Sequence, residues 1–596
     1  MRSKFMMNKE PTYLGSVSAV AGSTLTVELA PQVNSGLLII GGKTHRVGQV
    51  GSFVRIPQGY NNLYGLIAET SESSSVDQIS DTHEMDRRWI KIELVGETIG
   101  DEFERGISQY PSINDEAHLV IESDLKKIYG GAEYGQIVIG TLSSSDSIKV
   151  SIDLDKLVTR HSAVLGSTGS GKSTSVSSLL RSIVTDEHGA TSYPAARIVL
   201  IDIHGEYSAA LGDIASVFSV IPKDGDTKLQ IPYWCVSSEN LIDFLCGSTS
   251  EANKSLIFDR IVEQKIAFVK TNALTGINLE RISADTPIPF NLKKIWYDLM
   301  VYDNANWDDK EKTIPSYSEH GNAETLSPPK FKPPGAASNA PHKGNGGLMK
   351  KQLDLMRSRL LDNQFSFFLS PGDWQPDADL KVKKDLPELI KSWLGHAKPI
   401  TILDLSGMPS TRLDLLLGSV LDIIFESALW GRNYKEGMKN RPVLLVLEEA
   451  HRYLSAGAVG LAKGMVQKIA KEGRKFGVGA MLVSQRPSEI DETILSQCGT
   501  LFALRINNAT DRSRVKSAMS EGISGIVDSL PVLRTGEAVI AGEAARLPMR
   551  CRFKLPREGY FPDSKDPVVA VNWSKVVAQE DYSALVSAWR NQDPNS

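Results

Sequence analysis

The stretch Gly166-Ser167-Thr168-Gly169-Ser170-Gly171-Lys172-Ser173-Thr174 fits the pattern G-x-x-x-x-G-K-[ST] in full. Three glycines, Gly166, Gly169 and Gly171, let the backbone turn so that its N–H groups and the following helix N-terminus point at a β-phosphate. Lys172 is then placed to pair with the β- and γ-phosphates, and the Ser173 hydroxyl to ligate Mg2+. The chemistry is triphosphate binding, with ATP and Mg2+ as the expected ligands. Context supports it: the apolar segment SAVL precedes the turn, and SVSSLLRSIV follows with Val176, Leu179, Leu180, Ile183 and Val184 on one helical face.

Cutting the triphosphate needs acidic groups at the end of a buried strand. Val443 to Leu447 followed by Glu448 and Glu449 supplies them. Glu448 stands where a metal-orienting residue, more usually Asp, is expected, and Glu449 is the candidate general base that polarises the attacking water. Asp202, His204 and Glu206 in IDIHGEY end another strand, where phosphate-side loops emerge in open α/β sheets. They read as further nucleotide contacts or as a hydrogen-bonded turn. Gln485 ends VGAMLVSQ, from which an amide could sense a γ-phosphate or simply finish the strand. Arg474 and Arg160, each just before a strand, read either as surface cations or as an arginine supplied to a neighbour's site, which would tie hydrolysis to assembly.

The elements that must position these groups follow from periodicity. From Tyr13 to Ile139, short alternating apolar runs broken by Gly, Asn and Ser predict a small β-barrel or sandwich, and residues 1–145 are assigned to it, as a barrel. After Asp153, apolar strands alternate with amphipathic helices, the pattern of a parallel α/β sheet. Strands are expected at 162–166, 196–202, 399–407, 442–450, 478–485 and 500–506, so that 146–237 and 395–555 form one nucleotide-binding core. Between 238 and 394 the sheet pattern lapses into helical stretches, 253–270 and 348–363 among them, which predicts a helical insertion. Within it, 303–347 is rich in Pro, Gly, Asn and Ser and reads as a mobile loop. A helix is expected in NATDRSRVKSAM, a hairpin in GEAVIAGEAARLPMRCRF, and a polar tail or arm at 556–596.

A formal net charge of -5 argues against a surface that coats nucleic acid indiscriminately, so any DNA contact must be local. A ring with a few basic loops around a pore meets that condition. Candidate pore residues are Lys463, Lys468 and Lys471 after the acidic pair, with Lys223 and Lys228. The four cysteines lack paired CxxC spacing, which indicates neither a disulfide framework nor a zinc site. No run of about 18 apolar residues is present, so a soluble cytoplasmic protein without a membrane partner is expected.

Five motifs taken in order, TRHSAVLGSTGSGKS, VLIDIHGEY, VLLVLEEAHRYL, KEGRKFGVGAMLVSQRPSEID and LRTGEAVIAG, resemble those of the HerA ATPases in the FtsK-HerA P-loop superfamily. The resemblance covers roughly Tyr13 to Phe553. It implies a RecA/FtsK-like core behind a β-barrel, assembled as a homo-hexamer around double-stranded DNA. It implies nucleotide on Gly166 to Thr174, a catalytic Glu449, a sensor Gln485 and a trans-acting Arg474, with Arg160 also near the nucleotide. In archaeal relatives the partner is the NurA nuclease, serving DNA end resection; bacterial relatives are often paired with a nuclease or a sirtuin-like NADase in anti-phage defence. The competing expectation is a ring scaffold whose ATP binding organises such an effector with little translocation of its own.

Overall fold

The computed structural model describes residues 10–33, 36–40, 42–73, 87–100, 102–129, 134–185, 192–335, 340–408, 410–519, 524–564, 568–574 and 581–591. The opening nine residues, part of the break after Glu72 and parts of the tail 556–596 lie outside the described residues.

The chain divides into two units: Met1–Val217, Ala397–Asp404 and Ser427–Asp563 form the first, and Phe218–His396, Leu405–Glu426 and Ser564–Ser596 the second. The first opens with the expected barrel. Six antiparallel strands close on themselves in the order Thr24–Leu29, Tyr13–Ala21, Glu116–Leu119, Phe53–Gln58, Asn61–Ser73 and Arg87–Ile99, the last pairing back to Thr24–Leu29. Period-two alternation sends Leu25 and Val27, Val54 and Ile56, and Ile90 and Ile92 inward, where they meet Leu14, Val17, Leu63 and Ile67. Closure removes free sheet edges, so six strands suffice without a helical cover.

The core sheet of this unit carries six parallel strands in the order Ile400–Asp404, Ile198–Asp202, Val443–Leu447, Val478–Ser484, Ser162–Leu165 and Thr500–Ala503. Every residue of these strands is buried, which is why they read as unbroken apolar runs rather than alternating ones. The helix Lys172–Val184 buries the predicted face, Val176, Leu179, Leu180, Ile183 and Val184. Beyond Thr500–Ala503 the sheet turns antiparallel through Glu537–Gly542 and Met549–Phe553, the expected hairpin.

The barrel boundary moves. Gln136–Leu142, read as a barrel strand, pairs with Met549–Phe553 and with Ser145–Asp153, and so extends the core sheet. Its alternating pattern suits either sheet, and only the cross-strand partner, more than 400 residues away in sequence, decides between them. The core thus begins near residue 136 rather than 146.

In the second unit the helices Ser238–Cys246, Glu251–Thr271, Leu292–Asn304, Lys350–Leu361 and Leu386–Leu394 dominate. Trp296 is fully buried, its indole N–H donating to the Leu353 carbonyl over 3.1 Å. The stretch 303–347 holds more local structure than its composition suggests. Tyr317–Glu319 pairs antiparallel with Lys330–Phe331, and the Asp309 carboxylate accepts from the backbone N–H groups of Thr313 and Ile314. Side-chain caps of this kind leave no apolar period to read. All four cysteines are free thiols. Among the described residues no helix is long and apolar enough to cross a membrane.

Candidate active site

The glycine turn leaves the C-terminal end of Ser162–Leu165 between two flanking strands, and both brace it. Gly166 N–H donates to the Ser484 carbonyl over 3.1 Å, and Ser167 gives its N–H and hydroxyl to the Arg505 carbonyl over 2.9 and 2.8 Å. The Arg505 guanidinium closes over the turn onto the Gly169 carbonyl at 2.7 Å. Gly536 N–H donates to the Ser170 carbonyl over 2.9 Å, so the LRTGEAVIAG segment is part of the cradle.

Two glycines are dictated by geometry. Gly171 sits at φ +86°, and a Cβ there would also meet the Gly536 nitrogen at 2.9 Å. A Cβ on Gly166 would stand 2.7 Å from Ser170 Oγ and 2.8 Å from Leu504 Cβ. Gly166→Ala is therefore expected to push the turn outward and weaken ATP binding about tenfold, the lower end of an overpacking penalty. Titration with a fluorescent ATP analogue checks this; an unaltered Kd would show that the turn tolerates a side chain.

Lys172 opens the helix with its ammonium 3.6 Å from Glu449 Oε1, both side chains less than a tenth exposed. Glu449 lies just past Val443–Leu447 in the left-handed region, φ +48°, which costs a non-glycine residue of order 1 kcal/mol and tends to persist where a site requires it. Its other oxygen, Oε2, is buried and lies 3.1 Å from His451 Nδ1 without the alignment of a hydrogen bond.

Glu448 is buried. Tyr207, fully buried, donates its hydroxyl to Glu448 Oε2 over 3.1 Å. Burial pushes the Glu448 carboxyl up to about 8, with Glu449 and Asp202 adding to the rise and Lys172 opposing it. Asp202, in register with Asp404 on the next strand, is pushed up to about 6 by burial before all else. The Asp202 carboxylate is occupied by the backbone N–H groups of His204, Gly205 and Tyr207 at 3.2, 2.8 and 2.8 Å, the geometry of the hydrogen-bonded turn. His204 is exposed and Glu206 half-buried.

A divalent cation suits this set: carboxylates whose charge burial holds back, one buried carboxylate oxygen left without a hydrogen bond, and a glycine cradle for phosphate. Among the described residues no group of three or more His, Cys, Asp or Glu is arranged to hold a metal alone. Phosphate oxygens and water would have to complete the shell around Ser173 and Glu448.

Gln485 is brought to the turn: its Oε1 accepts from Thr168 Oγ1 over 2.6 Å. Arg474 and Arg160 are not. Arg474 is exposed at the end of the helix Leu461–Phe476, just before Val478–Ser484 begins. Arg160 precedes Ser162–Leu165 and its guanidinium pairs with Glu543 at 3.5 Å. Both stand at the N-terminal edge of the parallel strands, whereas the cradle stands at the C-terminal edge, about 20 Å off along a seven-residue strand.

Lys463, taken as a pore candidate, is buried and spent: its ammonium donates to the Ser455 and Ala456 carbonyls and pairs with Asp491 at 3.0 Å. Helical spacing cannot separate a capping lysine from a solvated one. Tyr207, His451, Ser484 and Arg505 escaped notice in the sequence. Arg505 had a signal, since it lies two residues past the strand beside the P-loop strand; Tyr207 and His451 lie within motifs whose acidic members are the more obvious candidates.

The profile "Helicase HerA, central domain" matches residues 137–424. The DNA double-strand break repair helicase HerA of Pyrococcus furiosus is 28% identical over 453 residues, covering 72% of this chain and 70% of the relative. Its namesake from Saccharolobus solfataricus is also 28% identical, covering 77% and 76%. Among solved structures, VirB4 of Thermoanaerobacter pseudethanolicus aligns with a TM-score of 0.44 at 13% identity, over 72% of this chain and 99% of VirB4. The matched span begins at the hairpin strand that joins the core sheet and takes in the whole glycine turn, so over this region the chain is similar to the HerA helicases.

Proposed function

We propose that this ATPase is the motor of a homo-hexameric ring that moves on double-stranded DNA and works with a partner effector, a nuclease or an NADase of sirtuin type, in DNA end processing or anti-phage defence. The helices of 238–394 are read as an insertion in the motor. The observation that carries the reading is the buried face-off of Lys172 and Glu449 at 3.6 Å, with Gln485 bonded into the same turn. ATP replaces Glu449 as the counter-ion of Lys172 and frees the carboxylate for water.

The turn's N–H groups and Lys172 hold the β- and γ-phosphates, and Gln485 marks the terminal one. Glu449 takes the proton as the oxygen of water bonds to the γ-phosphorus, and the bond to the bridging oxygen breaks to leave ADP and phosphate. Ser173 and Glu448 would hold a Mg2+ ion, which would supply charge neutralisation on the phosphates. Asp202 holds the loop of His204 and Glu206 beside this site.

Arg474 sits at the strand edge away from its own cradle, which suits a cation offered to the next subunit's γ-phosphate, with Arg160 on the same edge. Arg474→Ala is expected to keep ATP affinity and to lose about 10^3-fold in kcat, the lower range for an arginine finger. Rings mixed from Arg474→Ala and Glu449→Gln subunits should regain turnover, because some boundaries then combine an intact glutamate with an intact arginine. Mixed rings as inert as either parent would rule out a shared site.

The deciding experiment measures DNA-stimulated ATP hydrolysis and roadblock displacement, for the chain alone and with its partner. Displacement that tracks hydrolysis supports a motor. Effector activation that survives Glu449→Gln would instead favour the scaffold.

A further inference from the structure

His451 follows Glu449 by two residues in a short 3-10 turn, Ala450–Arg452, and is buried. Its Nδ1 faces two oxygens, Glu449 Oε2 at 3.1 Å and Ser484 Oγ at 3.2 Å. Ser484 Oγ already accepts from Arg486 N–H over 3.1 Å. Ser484 is also the last residue of Val478–Ser484 and neighbours Gln485, which is bonded to Thr168 in the glycine turn. The hydrogen bond of Gln485 to Thr168, the peptide link from Gln485 to Ser484 and the hydrogen bond of Ser484 with His451 thus lead from the apex of the phosphate cradle to within 3.1 Å of the hydrolytic carboxylate.

We propose that His451, seated on Ser484, is a positioning residue that takes hold of the Glu449 carboxylate when Lys172 transfers to the γ-phosphate, and so couples nucleotide occupancy at Gln485 to the aim of the base. The inference rests on the reading of Glu449 as the base. With Lys172 drawn to phosphate, Glu449 would keep a buried Oε2 and no donor, a costly state. An Nδ1–H turned from Ser484 to Oε2 supplies that donor over a separation already at 3.1 Å. The second lone pair of Oε2 and the whole of Oε1 remain for water.

The test uses the full-length protein and separates positioning from folding. His451→Ala should lower kcat about 10- to 100-fold, the range typical of residues that orient a catalytic ligand, with the Kd of a non-hydrolysable ATP analogue unchanged. His451→Asn, whose amide nitrogen falls near Nδ1, should recover most of the lost kcat. Normal turnover in the alanine variant overturns the proposal; so does loss of kcat that asparagine does not restore, or a parallel loss of nucleotide affinity, each of which marks a purely structural histidine. Absence of ATP hydrolysis by the unaltered protein would strike instead at the reading of Glu449.

Discussion

Replacing Glu449 with glutamine is expected to lower the rate of phosphate release about 10^3-fold while ATP stays bound, within the range for loss of a general base. Glutamine is nearly isosteric, so the left-handed backbone at φ +48° and the packing about it are kept. What disappears is the charge. Without it the attacking water loses its proton acceptor: the Glu448 carboxylate accepts from the Tyr207 hydroxyl, and the Asp202 carboxylate is held by backbone N–H groups. Lys172 meanwhile loses the partner that competes with phosphate, so ATP affinity should hold or tighten. Equilibrium binding of a fluorescent analogue together with single-turnover phosphate release checks both halves. A variant that still turns over at the parental rate would move the base elsewhere, and one that fails to bind ATP would make Glu449 a structural residue.

The cradle was legible because its parts are local. Three glycines, a lysine and a serine in eight consecutive residues state their purpose without help from distant chain, and the apolar run before the turn and the helical face after it place them between strand and helix. Gln485 was legible for a different reason. A polar side chain closing a fully apolar strand lies at the C-terminal edge of a parallel sheet, and the structure brings it to Thr168.

What sequence could not state is who stands opposite whom. Asp202 reads either as a nucleotide contact or as part of a hydrogen-bonded turn, and only folding shows its carboxylate wrapped by His204, Gly205 and Tyr207. Lys463 looked like a pore cation and is buried against Asp491. Gln136–Leu142 looked like barrel and is core sheet, since its partner comes from the far end of the chain. The strand Gln136–Leu142 turns on a long-range pairing, and a residue's own neighbours in sequence do not encode that choice.

Lys172→Ala should cost more than any other single change, because it acts twice. First, the cradle loses its charge-assisted hydrogen bonds to the phosphates, each worth about 1.5–3 kcal/mol, so ATP affinity should fall at least about tenfold. Second, in the nucleotide-free protein Glu449 is left buried with no counter-ion, and breaking a buried pair from one side costs about 3 kcal/mol or more. Thermal unfolding without nucleotide should therefore show a lower Tm for Lys172→Ala than for the parent. The two effects separate in a double-substitution cycle. Adding Glu449→Gln to Lys172→Ala removes the stranded charge and should restore most of the lost Tm, yet leave ATP affinity as weak as in Lys172→Ala alone. If the second substitution instead lowers Tm further, the two side chains do not hold one another in the empty site, and the exchange of Glu449 for phosphate at Lys172 cannot be how ATP arms this enzyme.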